Sequence, residues 1–300
     1  MLAIINPAAG AGRALAKWTR IEGRLRDRVG PISIFISRSE AHLEAAMPRL
    51  LAEGHREFLA AGGDGTVNAV LGAIVAHADD AMLRQISVGA VGLGSSNDFH
   101  KPFREKIDGV PCRIDFENIR RHDIGLLGYQ DPRGADRSRF WFINASIGIA
   151  AEANHLFNHP GKILRFLKRV STSVAIAYAA VAAIVTNRPR TLTLTIGDRQ
   201  YDSFGVRNLG VVKNPNFAGS LRYDTPHRPD SGDFHVHRLA SATRAGLLAA
   251  LARLARGKFA GGPDTRSWLT RQATVRNGGD PFLVECDGEV IEACDARFSI

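Results

Sequence analysis

Residues 62–66, Gly-Gly-Asp-Gly-Thr, have the composition of a phosphate-binding loop. They follow a strand predicted over residues 58–61 and precede a helix predicted over residues 67–78. Glycines let a ligand approach the backbone closely, and the N–H groups that begin a helix bind phosphate. Asp64 would repel phosphates unless Mg²⁺ lies between them or its carboxylate binds another group, while Thr66 could cap the helix or bind a phosphate oxygen. A glycine turn with an Asx cap explains the same residues equally well.

Two further glycine loops follow predicted strands. Residues 92–99, Gly-Leu-Gly-Ser-Ser-Asn-Asp-Phe, come after a strand over 86–91, and residues 6–12, Asn-Pro-Ala-Ala-Gly-Ala-Gly, come after Leu2–Ile5. Loops at the carboxyl ends of parallel strands meet at the ligand crevice of an α/β sheet, so we predict one shared nucleotide site. Neither 62–66 nor 92–99 continues into Gly-Lys-Ser/Thr, and Asn97 stands where the Rossmann pattern needs its last glycine. A dehydrogenase is therefore disfavoured.

A third group of interest is Asp287-Gly288-Glu289, near the end of the chain. Asp-Gly between apolar segments is typical of a hairpin turn, and this interpretation is favoured when the residues are taken alone. The alternative is chemical: a carboxylate beside a weakly acidic hydroxyl accepts its proton during phosphoryl transfer.

The predicted elements divide the chain into two parts. Strands and helices alternate through the first third, which predicts a parallel sheet with helices on both faces. After about residue 120, segments such as 191–196 alternate with period two, typical of half-exposed antiparallel strands. We therefore predict domains at 1–121 and 122–290, and a tail at 291–300 that returns to the first domain. Helices are predicted over 163–186 and over 242–256, the second capped by Ser241.

Composition narrows the functional class. The 300 residues carry a formal net charge of +9, which suits nucleotides, nucleic acid or anionic lipid, but the 7% of aromatic residues shows no RNA-stacking pattern. The three cysteines lack metal-ligand spacing, so we expect reduced thiols. No basic segment precedes the first apolar run, so we expect no signal peptide. The uncharged segment 170–186 is at the short limit for a membrane span. We expect a buried helix there, or one that lines an apolar cleft.

Together these motifs resemble the diacylglycerol kinase catalytic domain, particularly bacterial lipid kinases, with sphingosine kinases as relatives. The ordered set runs through nearly the whole chain. Besides the three glycine loops it contains Asp123-Ile124-Gly125, Asn144-Ala145-Ser146-Ile147-Gly148, Asn214 with Gly219, and Asp287-Gly288-Glu289.

The resemblance implies a Rossmann-like α/β nucleotide domain followed by an antiparallel β-sandwich domain, with ATP and a lipid meeting between them. It implies that Glu289 is the catalytic acid and that Asp64 lies close to the chemistry. Ser95 stands where the family usually has threonine. The residues implied to bind ATP are Asn6, Ser37, Gly62, Gly63, Asp64, Gly65, Thr66, Asn68, Ser95, Asn97 and Asp98.

The resemblance also implies a structural Mg²⁺ site, at which the sequence departs from the family. An Asp-Asp-Gly segment is usual there, but this chain has Asp230-Ser231-Gly232-Asp233. Asp230 and Asp233, with Asp123, are the candidate ligands, and a solvated turn is the alternative.

We therefore expect an ATP- and Mg²⁺-dependent lipid kinase that is cytoplasmic and peripherally associated with the membrane. The cationic helix at 242–256 could lie on an anionic membrane surface, but its docking on the β domain is favoured. A diacylglycerol-like acceptor is favoured, no nucleic acid is expected, and a homodimer is left open. An NAD kinase-like enzyme and a non-catalytic lipid- or nucleotide-binding protein are the alternatives. The histidines at 155 and 159 lack the glutamate of an H-E-x-x-H zinc site.

Overall fold

The structure is a computed structural model that describes residues 1–94, 97–101, 105–241 and 243–300. Contacts divide the chain into two compact units, Met1–Arg120 and Arg121–Ile300. Ser95, which the resemblance implies as an ATP ligand, lies outside the described residues.

Strands and helices alternate along most of the first unit. In chain order they are β1 (Leu2–Ile5), α1 (Ala9–Gly12), α2 (Ala14–Val29), β2 (Ser33–Ile36), α3 (Glu40–Ala52), β3 (Glu57–Gly62), α4 (Asp64–His77), α5 (Asp80–Leu83), β4 (Ser87–Gly92), β5 (Glu105–Ile107) and β6 (Val110–Arg113). β1 is buried throughout and β3 after its first residue, as expected for strands covered by helices on both faces.

The described strands of this unit form one sheet in the order β2-β1-β3-β4-β6-β5. β2, β1, β3 and β4 run parallel, whereas β6 and β5 add an antiparallel hairpin at one edge. Trp18, Ile21 and Leu25, spaced by three and four residues, place one face of α2 in the core. The α/β prediction is confirmed, although the β5–β6 hairpin was missed.

The second unit is mainly antiparallel. In chain order it contains β7 (Gly125–Gln130), β8 (Asp136–Trp141), β9 (Asn144–Gly148), α6 (Ile149–Asn158), α7 (Lys162–Val170), α8 (Thr172–Thr186), β10 (Arg190–Ile196), β11 (Arg199–Val206), β12 (Asn208–Val212), β13 (Asn216–Phe217), β14 (Leu221–Arg222), β15 (Phe234–Leu239), α9 (Arg244–Ala255), β16 (Thr265–Thr270), β17 (Gln272–Arg276), β18 (Phe282–Cys286), β19 (Glu289–Ala293) and β20 (Asp295–Ser299).

Two sheets of antiparallel strands enclose the core of this unit. Their orders are β11-β10-β17-β20-β7-β8 and β16-β15-β12-β9-β18-β19. Trp141 packs edge-on against Phe298 of its own sheet and Phe234 of the other, with ring centroids 6.4 and 5.4 Å away. Gly125 is required opposite this ring, because a Cβ there would lie 2.1 Å from it. The sandwich prediction is confirmed.

Several predicted boundaries differ from the observed ones. The helix predicted over 163–186 is two helices, because Ser171 is extended and its hydroxyl accepts the N–H of Val174 to begin α8. α9 is capped by Thr243 rather than by Ser241. The final residues, which were predicted to return to the first domain, instead form β20 between β17 and β7.

Among the described residues, none of the helices has both the length and the apolar character needed to cross a membrane.

Candidate functional site

The three glycine loops meet at one edge of the first sheet. β1, β3 and β4 are parallel neighbours, so the loops that follow them leave from the same side. The N–H groups of Leu93 and Gly94 donate to the carbonyl oxygen of Gly62 at 2.9 and 3.1 Å. A Cβ on Gly94 would lie 2.4 Å from Cα of Gly63, so the backbones of two loops are in direct contact.

The close contact between the two loops gives these glycines a packing role as well. Gly62, Gly63 and Gly65 were expected to let a ligand approach the backbone closely, and none of the three has a positive φ. Gly62 instead accommodates Thr66, whose Oγ1 lies 2.1 Å from the position of an added Cβ. Gly65 has open space around it, so this position remains accessible to a ligand.

Asp64 holds the second loop against the start of α4. Its Oδ2 accepts the N–H of Asp98 at 2.8 Å, and its Oδ1 accepts the N–H of Phe99 at 2.9 Å. Asp64 also lies in the first turn of α4, where the helix dipole stabilises a negative charge. The carboxylate therefore positions residues 97–99, and bonding to backbone N–H groups is one of the alternatives to a phosphate-bound metal.

Asn6 links the first loop to the same helix. Its Nδ2 donates to Oγ1 of Thr66 at 3.1 Å, while its Oδ1 accepts the N–H of Ala8 at 3.0 Å. Thr66 lies in the first turn of α4 and does not cap it. The N-cap residue is Gly63, which has no side chain to accept a backbone N–H of the helix. The beginning of α4 therefore has the arrangement that binds phosphate in many proteins.

Lys17, which was not identified from the sequence, reaches this edge. Lys17 on α2 donates from Nζ to the carbonyl oxygen of Leu93 at 3.1 Å. Partial burial lowers the pKa of Lys17, and the charges of Arg13 and Arg20 lower it further. The only signal in the sequence was a cluster of basic residues just after a glycine loop, and such clusters are common on exposed helices.

The remaining predicted nucleotide ligands differ in their burial and in the groups that their side chains contact. Asp98 is buried and forms an ion pair with Lys101 at 2.5 Å. The buried Oδ1 of Asn97 has no hydrogen-bond partner within the described part of the chain. The hydroxyl of Ser37, beyond β2, donates to the carbonyl oxygen of Ser39 at 3.0 Å, so it supports the turn into α3. Asn68 is buried on α4.

In the second unit, Asp287 and Gly288 form the turn of the β18–β19 hairpin. Both have positive φ, 48° and 96°, as a two-residue hairpin of type I′ requires. The buried carboxylate of Asp287 accepts three N–H groups, from Phe142 at 2.7 Å and from Ile143 and Asn144 at 2.9 Å. The turn interpretation of these two residues is confirmed.

Glu289 begins β19 directly after this turn. Its side chain is 51% exposed, and its Oε2 lies 2.9 Å from Nη2 of Arg139 on β8. The hairpin and the bonds of Asp287 fix the backbone that carries the carboxylate. Arg139 was not identified from the sequence, because it is 150 residues away with no motif around it.

The residues proposed to bind structural Mg²⁺ do not fit a metal ion. The ammonium of Lys213 lies among them, 2.5 Å from Oδ2 of Asp123 and 2.8 Å from the carbonyl oxygen of Asp233. Asp230 is exposed. Groups of three or more His, Cys, Asp or Glu side chains that could hold a metal are absent from the described residues. The cation at this position is the ammonium of Lys213.

Two helices of the second unit are held by contacts within the fold. The carboxylate of Glu152 on α6 accepts from Nδ2 of Asn187 at 2.9 Å and so holds the end of α8. The helix α9 docks through Leu247 and Ala250 into a cluster with Tyr223 and Phe259, so this cationic helix is part of the fold.

Residues 1–126 match the family model of the diacylglycerol kinase catalytic domain. A protein of Xanthomonas campestris pv. campestris strain 8004, named a probable lipid kinase, YegS-like, is 38% identical over 77 residues, which are 26% of this chain and 25% of that protein. YtlR of Bacillus subtilis strain 168, a candidate lipid kinase by name, is 24% identical over 245 residues, covering 78% of this chain and 75% of YtlR.

The fold has counterparts among solved structures. A candidate diacylglycerol kinase from Bacillus anthracis strain Sterne superposes with a TM-score of 0.72 over 99% of this chain and 91% of that one, at 16% identity. This likeness concerns the fold alone. In the match with the Xanthomonas protein, the chain spans about a quarter of that relative's length. Over residues 1–126, the chain is similar to the diacylglycerol kinase catalytic domain.

Proposed function

We propose that this protein is an ATP-dependent lipid kinase that transfers the γ-phosphate of ATP to a lipid hydroxyl, with a diacylglycerol-like acceptor. The match of residues 1–126 to a kinase family model supports phosphoryl transfer. The observation that carries the proposal is the joining of three glycine loops at the start of α4. The carboxylate of Asp64 and the carbonyl oxygen of Gly62 hold the loop after β4, and the amide of Asn6 holds the loop after β1. Such transfer depends on positioned phosphates more than on covalent chemistry, and these loops supply backbone N–H groups for that task.

The residues of the first unit have separate tasks in this proposal. The first turn of α4 binds a phosphate group, and Asp64 keeps residues 97–99 in place beside it. The Oδ1 of Asn97, which has no partner among the described residues, accepts a hydrogen bond from the nucleotide. Lys17 contributes positive charge next to the loops. Magnesium enters with the substrate as MgATP and neutralises part of the phosphate charge.

Glu289 acts on the acceptor in this proposal. A lipid hydroxyl loses its proton late in the transfer, and the carboxylate of Glu289 accepts it, which contributes roughly 10²–10⁴-fold to the rate. The exposure of Glu289 and the rigid turn before it support this role, because the carboxylate is accessible and its backbone is fixed.

The test is transfer of radiolabel from ATP to a panel of lipids with Mg²⁺. We expect labelled lipid from the native protein, with Asp64→Asn and Glu289→Gln strongly impaired. Asp80→Asn is the control for the first change, since Asp80 also lies in the first turn of a helix, and Glu292→Gln on β19 is the control for the second. Full activity of either site variant would refute its assigned role. Labelled NAD without labelled lipid would favour the NAD kinase-like alternative, and no labelled product would favour a binding protein.

Peripheral membrane contact is part of the proposal, and α7 and α8 provide a surface suited to it. The exposed large apolar side chains fall on one stripe of each helix: Ile163, Phe166 and Val170 on α7, and Val174, Tyr178, Val181 and Val185 on α8. Their spacing by three and four residues is that of a helix face. The opposite faces pack together through Leu164, Ala175 and Ala179.

The charges around these stripes suit an anionic bilayer. Lys162, Arg165 and Arg169 are exposed on α7, while α8 carries no charged residue. Lys168 serves the fold instead, since its Nζ donates to the carbonyl oxygen of Phe157 at 2.8 Å. An apolar stripe with a basic margin is typical of helices that lie at a membrane surface, where each basic residue near an anionic leaflet contributes about 1 kcal/mol.

Sedimentation with vesicles of phosphatidylcholine, with and without phosphatidylglycerol, tests this contact without ATP. We expect the native protein to bind the anionic vesicles and Phe166→Asp to lose most of that binding. Phe204→Asp on β11 is the matched control, because Phe204 is 73% exposed in the same unit but lies apart from these helices in sequence. Equal binding of the two variants would refute α7 as the contact surface and would leave the kinase proposal untouched.

A further inference from the structure

Lys213 is a charged side chain in an interior position. It follows β12, and its side chain is only 2% exposed. A buried ammonium is costly unless it is paired and fully hydrogen-bonded. It has three N–H donors, and three acceptors lie within reach: Oδ2 of Asp123 at 2.5 Å, the carbonyl oxygen of Asp233 at 2.8 Å and Oγ of Ser231 at 3.4 Å.

The acceptors are held in place by bonds among themselves. The N–H of Gly232 donates to Oδ2 of Asp123 at 2.7 Å, and the N–H of Asp123 donates to the carbonyl oxygen of Pro229 at 2.7 Å. The hydroxyl of Ser231 donates to Oδ1 of Asp233 at 2.5 Å. The segment before β7 and the turn at 229–233 therefore form one cradle around the ammonium.

The cradle also explains the departure from Asp-Asp-Gly at residues 230–232. A hexacoordinate Mg²⁺ needs oxygen ligands at about 2.0–2.1 Å and favours carboxylates, whereas an ammonium carries one charge and needs acceptors at hydrogen-bond distance. Ser231 supplies a neutral oxygen, which leaves Asp123 as the carboxylate that pairs with the ammonium. An aspartate at 231 would add a negative charge that Lys213 alone does not balance.

The site has a structural connection to the turn before Glu289. The backbone N–H of Lys213 donates to the carbonyl oxygen of Ile143 at 3.1 Å, and the N–H of Ile143 donates to Oδ1 of Asp287 at 2.9 Å. The cation therefore holds a segment that also anchors the β18–β19 hairpin.

We propose that the ammonium of Lys213 replaces the divalent cation implied at this position, so that the second unit folds without a structural metal. The lysine joins Asp123 to the turn at 229–233, which is the task that a bound metal would perform. A divalent ion and the ammonium exclude each other, because both need the same oxygens of Asp123 and Asp233.

Thermal unfolding followed by tryptophan fluorescence tests this proposal without ATP and independently of kinase activity. The Tm of the native protein should be the same in EDTA, in Mg²⁺ and in Ca²⁺. Lys213→Met should lower the Tm by roughly 6–20 °C, because it leaves the Asp123 carboxylate without its counter-charge. Lys258→Met, at an exposed lysine of the same unit, should leave the Tm unchanged.

A double variant gives the converse test. Lys213→Ser with Ser231→Asp removes the ammonium and restores the Asp-Asp-Gly carboxylate, so its Tm should rise on addition of Mg²⁺ or Ca²⁺. A native Tm that falls in EDTA and recovers with Mg²⁺ would overturn the proposal. So would a Lys213→Met variant that is as stable as Lys258→Met.

Discussion

Replacing Asp287 by asparagine tests how the turn before Glu289 is held. The carboxylate accepts from three backbone N–H groups, two at Oδ1 and one at Oδ2, and the side chain is buried. Asparagine keeps one acceptor oxygen and replaces the other by an NH₂ group that points at an N–H donor. The variant therefore loses one contact, and the other two no longer involve a charged acceptor.

The expected cost follows from these contacts. A hydrogen bond to a charged group contributes about 1.5–3 kcal/mol, and a buried donor without a partner costs a similar amount, so the free energy of unfolding should fall by about 2–4 kcal/mol. For a unit of this size such a loss lowers the Tm by roughly 4–16 °C. Because Glu289 is two residues away, kcat for lipid phosphorylation should fall as well, while KM for ATP should change little.

The assay is thermal unfolding followed by the fluorescence of Trp141 and Trp268, which both belong to the second unit. Asp280→Asn is the matched control, since Asp280 is exposed in the turn that precedes β18. Equal Tm values for the two variants would refute the assignment of Asp287 as the anchor. A stable Asp287→Asn protein with native kcat would also show that Glu289 does not depend on this turn.

Three further predictions follow from the contacts described above. Lys17→Met should raise KM for ATP roughly tenfold with a smaller change in kcat, because one charged contact beside the loops is lost. Arg139→Gln should lower kcat without changing KM for ATP, because Glu289 loses its ion-pair partner. The pKa of His237 is lowered from 6.5 to about 3, mainly by burial and to a smaller extent by the charge of His235. The unfolded state therefore binds more protons than the folded state in that range, and the free energy of unfolding should fall as the pH falls from 6.5 towards 3. His237→Gln should reduce this pH dependence in urea titrations.

Each of these predictions has a matched control. An unchanged KM for Lys17→Met would contradict the assigned place of the lysine, and Lys106→Met, at an exposed lysine of the same unit, should leave KM unchanged. Arg137→Gln on β8, where Arg137 pairs with Asp131, should leave kcat unchanged, so equal losses in the two arginine variants would refute a specific role for Arg139. The exposed His77→Gln should retain the full pH dependence, and the same slope in His237→Gln would show that other groups cause it.

The elements of the first unit could be predicted from sequence because their signals are local. β1 and β3 are short continuous apolar runs, and α2 has apolar residues at helical spacing. The β5–β6 hairpin was missed because Glu105–Ile107 and Val110–Arg113 are very short. In the second unit the alternation of β10 and the turn at Gly197 were identifiable, whereas the break at Ser171 depends on a single side chain that caps the next helix.

For the site, the sequence by itself determined where phosphate chemistry is to be expected. The glycine loops, the first turn of α4 and the Asp-Gly turn before Glu289 are all properties of neighbouring residues. What each charged group binds was decided only by the tertiary structure. Asp64 binds N–H groups of residues 34 and 35 positions away, and Lys213 meets Asp123 across 90 positions. A backbone N–H, an ammonium or a metal ion can each bind the same carboxylate. Which of them lies within hydrogen-bond distance is determined by the positions of segments that are distant in sequence.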